Sequence, residues 1–154
     1  MRMKRISVLV LFIFLLSCII PLVSADNEAK YSYIEINDIS LELSKNRAVY
    51  NINYDIDDGV KFLVAFLGKS DLKNKLCKLL NYENCIFEVV DMNHAVMVVD
   101  NPSIDNGDGS LWFPRKEIEV IVPEITVKTP RNVRSFNDTS EIPGLGYFSE
   151  VLPQ

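Results

Sequence analysis

The chain has 154 residues, 48% of them hydrophobic and 24% charged, with 7 Pro, 6 Gly and a formal net charge of -5. That length and apolar fraction support one domain with a true core, and they exclude collagen-like, coiled-coil and wholly disordered chains. The acidic balance argues against a nucleic-acid binder, which needs a basic face, and the single histidine, His94, leaves no multi-histidine metal site.

The N-terminus has the three parts of a secretory leader. Arg2, Lys4 and Arg5 precede an uncharged run from Ile6 to Val23, and Val23-Ser24-Ala25 offers a small-x-small end before Asp26. Residues 1–25 are therefore expected to be a signal peptide, with the folded part exported. The run of 18 residues is also close to the length of a spanning helix, so an uncleaved signal-anchor is the alternative, with the membrane touched only through residues 6–23. Leu15-Leu16-Ser17-Cys18 resembles a lipoprotein box, but Ile19, Ile20 and Pro21 follow it where small or polar residues are usual. Without residues 1–25 the chain keeps 13 basic and 21 acidic residues, a net charge of -8 over 129 residues.

From Tyr33 to Ser44 apolar and polar residues alternate, with a phase slip at Asn37-Asp38 that predicts a bulge or break. Tyr50, Ile52, Tyr54 and Ile56 predict a half-buried strand, and Asp58-Gly59 a tight turn into an antiparallel neighbour. Val60 to Leu67, apolar apart from Lys61, reads as a central strand covered on both faces. Leu72, Leu76, Leu79 and Leu80 share one face of a helix over residues 70–81, with Ser70 or Asp71 at its start and Asn81 at its end. Cys85–Asp91 and Ala95–Asp100 predict a hairpin turning at Met92-Asn93, and residues 101–110 an exposed loop. Leu111–Phe113, Ile118–Val122 and Ile125–Val127 are further strands, with Pro123 marking an edge or bulge.

The expected fold is α+β and mainly β. It is an antiparallel sheet of about six to eight strands with one helix packed on one face; a β-sandwich with a helical insertion is the alternative. Residues 26–128 form the single globular domain, and residues 129–154, broken by Pro130, Pro143 and Pro153, a loop-rich tail.

Few patterns carry chemistry. Gly68-Lys69-Ser70 opens a helix as a phosphate-binding loop does, but the first Gly of that loop would fall at Leu63, so no nucleotide site is expected. No Gly-x-Ser-x-Gly elbow accompanies His94. Asp55, Asp57 and Asp58 near one turn are the candidate acids of a small carboxylate hydrolase. Asp100, Asp105 and Asp108 are the candidate ligands of calcium, the only cofactor considered, although the loop does not follow the EF-hand spacing. Tyr31, Tyr33, Tyr50, Tyr54, Trp112 and Phe113 are either core residues or an aromatic platform for sugars. Asn137-Asp138-Thr139 is a glycosylation sequon. Cys77 and Cys85, the only cysteines beyond the leader, are expected to form a disulfide: Cys77 lies on the flank of the helix, and Cys85 begins the returning strand.

The leader, the Asn-, Ile- and Lys-rich composition and the β-rich body resemble small exported proteins of archaea such as methanogens. This likeness of style implies no activity and no site. The chain is expected to be a non-catalytic extracytoplasmic domain with a binding or structural role, partnered by a cell-surface protein or polysaccharide. A small secreted carboxylate hydrolase is the alternative.

Overall fold

The computed structural model describes residues 33–149. The leader (residues 1–25), Tyr31 and residues 150–154 lie outside the described residues.

Strands β1 (Ile34–Leu43) and β2 (Arg47–Ile56) form an antiparallel hairpin. Its register shifts between Ile36 and Asp38, where the sequence pattern slips. The extra residue lets Ile34 and Ile36 face the same way as Ile39, Leu41 and Leu43 in spite of the change of phase, and all five are buried. Ala48, Tyr50, Ile52, Tyr54 and Ile56 of β2 are their buried partners.

The next segment departs from expectation. Asp58–Leu67 is a helix, α1, and not a central strand, and Asp58-Gly59 is not a hairpin turn. The Asp57 side chain caps α1 by accepting the Gly59 N–H at 2.9 Å, and its carbonyl receives the Val60 and Lys61 N–H groups. A short uniformly apolar run has no period that separates strand from helix, so the capping residue decides the outcome. Gly68 ends this helix with φ 94, a left-handed value that suits glycine, and is not the end of a strand. A second helix, α2 (Ser70–Leu79), follows directly. Its N-cap position is Lys69, which makes no side-chain capping bond, so Ser70 is a first-turn residue rather than the cap. Asn81, at φ 55, closes the segment where the sequence placed its end.

Strands β3 (Ile86–Val90) and β4 (His94–Asp100) pair as the expected hairpin. The remaining strands are β5 (Ile104–Asp105), β6 (Ser110–Phe113), β7 (Lys116–Lys128), β8 (Val133–Ile142) and β9 (Leu145–Phe148). Strand β7 runs through Pro123 as one element, where two strands were expected. The pairs on either side of that proline are Val122 with Thr139 and Glu124 with Asn137. The intervening Asp138 has φ 49, and the register of the ladder shifts ahead of the proline, between Glu117 and Val122. The tail expected to be loop-rich supplies β8 and β9. Only Ile142 of β8 is buried, so that edge strand has no apolar period to read and is held by its ladder to β7.

Six strands form a mixed sheet in the order β3-β4-β2-β1-β7-β8, and a second sheet has the order β5-β6-β9. The larger sheet is not wholly antiparallel: β1 and β7 pair in parallel from Asp38–Glu124 to Glu42–Lys128. Among the described residues two helices stand where one was expected. The protein remains mainly β, with both classes of element present.

One face of the large sheet holds the core. Its buried residues join Leu72, Leu76, Leu79 and Leu80 of the α2 segment and Leu111, Phe113, Leu145 and Tyr147 of the small sheet in a single cluster. Buried tyrosine hydroxyls find partners: Tyr50 Oη lies 2.7 Å from Tyr82 Oη, and Tyr54 Oη donates to the Asp91 carbonyl at 2.6 Å. The opposite face presents Glu35, Asn51, Asn53, Asp55, Glu124 and Asn137.

Cys77 and Cys85 are disulfide-bonded with Cα atoms 5.8 Å apart, joining α2 to the residue before β3. Replacing both by Ala is expected to lower unfolding stability by about 2.5 kcal/mol, the loop entropy of a nine-residue ring. Urea unfolding of the double variant against the oxidised wild type measures this, and an equal midpoint would show that the bond does not constrain the chain.

Candidate functional site

The end of the β1–β2 hairpin gathers the features most open to a ligand. The Asp57 N–H donates to the Tyr33 carbonyl at 3.0 Å, so α1 starts beside the residue at which the described chain begins. Tyr33 is itself pinned: its hydroxyl donates to Asp71 at 2.9 Å, and Lys75 Nζ lies 3.7 Å from its ring centre. Burial, followed by the Asp71 carboxylate, pushes the Tyr33 hydroxyl pKa well above the ordinary tyrosine value.

Between these elements lies an open recess of about 360 Å³ lined by Tyr33, Glu35, Asp55, Asp57, Asp58 and Lys61. It brings together the three carboxylates singled out from the sequence, and each is engaged. Asp55 accepts from Asn37 Nδ2 at 3.0 Å, Asp57 caps α1, and Asp58 pairs with Lys61 at 2.9 Å. The Lys61 hydrogen bond and charge lower the Asp58 pKa, which is the direction opposite to that of a general acid.

The flank of the recess is α1 itself. Val64 is buried and Val60 partly buried against the core. Phe62, Leu63 and Phe66 point away from it, 72%, 51% and 79% exposed. The Phe62 and Phe66 rings, one helical turn apart, are stacked with centres 6.3 Å apart and planes at 12°. Helix α2, by contrast, packs against β7. These three residues were hidden by reading their segment as a buried strand. The signals that could have exposed them were Asp57 as a cap and the i, i+4 spacing of the two Phe residues.

Other residues marked in the sequence lie elsewhere. Asp100 ends β4 opposite Arg47. Asp105 accepts the Gly107 N–H at 2.8 Å and Asp108 the Ser110 N–H at 2.9 Å, so both carboxylates are turn-makers. The Ser110 bonds also lower the Asp108 pKa. Among the described residues no group of three His, Cys, Asp or Glu side chains is placed to hold a metal ion. Asp100, Asp105 and Asp108 are not brought together as such a group. His94 opens β4 opposite Asn53 rather than sitting in the turn. Tyr50, Tyr54 and Phe113 belong to the core, and Trp112, 45% exposed, packs on Gly144, where a Cβ would lie 2.8 Å from its ring; these described residues share no aromatic platform. Asn137 is exposed on edge strand β8, with its side chain accessible.

Comparison with protein-family models, with curated proteins and with solved structures gives no match. Among the described residues no helix is long and apolar enough to cross a membrane.

The Asp57 cap holds α1 in place, so its loss should loosen that helix. Asp57→Ala is expected to speed chymotryptic cleavage after Phe62 and Phe66 by roughly fivefold, the equivalent of a cap worth about 1 kcal/mol. Asp57→Asn, which keeps the acceptor, should stay within about twofold of wild type. Equal rates for all three proteins would show that the cap does not hold the helix.

Proposed function

We propose that the protein is an exported, non-catalytic domain that binds at the cell surface through the apolar face of α1. The observation that carries this reading is the pair of stacked, exposed rings of Phe62 and Phe66 with Leu63 beside them. Large apolar side chains grouped on one helix are unfavourable in water and mark interaction surfaces. The basic start, the apolar run from Ile6 to Val23 and the small-x-small end before Asp26 support export from the sequence side. The carboxylate-hydrolase alternative draws on the recess, but Asp57 there is spent on the helix cap and Asp58 on Lys61.

The test is the distribution of the chain between cells and medium, with intact mass read on both fractions. The wild type is expected to begin at Asp26 and to be cell-associated. Phe62→Ser/Phe66→Ser is expected to move to the medium while keeping its stability within about 0.5 kcal/mol, since both rings are solvent-exposed. An unchanged distribution, or a cytoplasmic product retaining Met1, would contradict the reading.

A further inference from the structure

We infer that the partner of the α1 face is the lipid bilayer: Phe62, Leu63 and Phe66 insert among the lipids of the outer membrane surface. This rests on the exported, surface-binding reading above and names its partner.

The chain enters the domain beside α1. Nine residues, 24–32, separate the apolar run ending at Val23 from Tyr33. Fully extended they span at most about 30 Å. Tyr33 is bonded through its carbonyl to Asp57, the cap of α1. The apolar helix face therefore sits at the point where the domain receives chain from the membrane, whether residues 1–25 are later removed or kept. Among the described residues, the other large exposed apolar groups are Ile86 and Val89 on β3, Ile104 on β5, and Trp112, Ile121, Val133 and Phe148 on β6 to β9, all later in the sequence than α1.

The area of the face also favours a bilayer. Two Phe and one Leu bury about 600 Å² at most when fully covered. A standard protein interface takes roughly 800 Å² from each partner, so this face is too small to hold a second copy or a globular partner by itself. A bilayer needs no complementary surface. It accepts apolar side chains to a shallow depth. Phe rings also suit the choline or amine cation of a zwitterionic headgroup, whereas Glu35, Asp55, Asp57 and Asp58 at the helix start disfavour anionic lipid.

The test uses the chain as recovered from cells, bound to phosphatidylcholine vesicles brominated in the upper acyl chain. The single native tryptophan, Trp112, is the internal reference. In Phe66→Trp/Trp112→Phe, and likewise in Phe62→Trp/Trp112→Phe, the indole on α1 is expected to lose roughly half or more of its emission, while Trp112 in the wild type loses little. In parallel, intact cells are treated with a membrane-impermeant amine reagent. Labelling of intact cells with no excess quenching on α1 would overturn membrane docking and leave surface binding standing. Labelling only after lysis would overturn the exported reading itself, and this inference with it.

Discussion

The parallel pairing of β1 with β7 is the constraint on which the rest of the architecture depends. β1 is held on one side by its hairpin partner β2 and on the other by a strand from the far end of the chain. The register that sets Ile39 against Ile125 and Leu41 against Val127 puts four buried apolar side chains on one face. A slip of one residue would turn all of β7 over. Once that face is fixed as the interior, α2 and the small sheet have one place to go, and their apolar residues join the same cluster. The polar face of the sheet follows by alternation, with Asn53 donating to Asp38 and Asn37 to Asp55 across it.

This division of surfaces leaves α1 at the margin of the core. The disulfide and the Lys69 contacts with Val90 and Asp91 tie α2 to the β3–β4 side of the sheet. Helix α1 touches the interior through Val60 and Val64 and turns its two Phe rings to solvent. A chain of this size could cover two rings with a polar side chain or a longer loop. Leaving them stacked and uncovered is costly in water, and the cost is recovered where another apolar phase takes them up. The recess at the start of α1 fits the same account: its carboxylates shape and cap the helix instead of converging on a reacting bond.

Much of the fold is legible in the sequence because burial on one face writes a period of two. Tyr50, Ile52, Tyr54 and Ile56 announce β2, and the slip at Asn37-Asp38 announces the bulge of β1. Leu72, Leu76 and Leu79 of α2, with Leu80 at its cap, announce the helix by the same logic at its own period, and the disulfide follows from the flank on which Cys77 lies. The pattern fails where burial does not alternate. Strand β8 is polar on both sides, so its Arg134, Ser135 and Asn137 read as loop although the backbone ladder holds them. Helix α1 fails for the opposite reason: Val60 to Leu67 is apolar all round, and uniform apolarity is what a doubly covered strand also shows. The candidate site was illegible for that same reason, since its exposed residues are those that a strand would have buried. The parallel β1–β7 contact joins distant segments, and no local pattern carries it.

The claim that α1 lies at the margin of the core and that its outer face is completed by lipid is tested most directly by amide hydrogen exchange on the full chain, with and without phosphatidylcholine vesicles. The amides of residues 60–67 should exchange well before those of β1, β2 and β7 in vesicle-free solution, and should slow when vesicles are added. Protection of α1 equal to that of β1 without vesicles, or exchange that vesicles leave unchanged, would contradict the account.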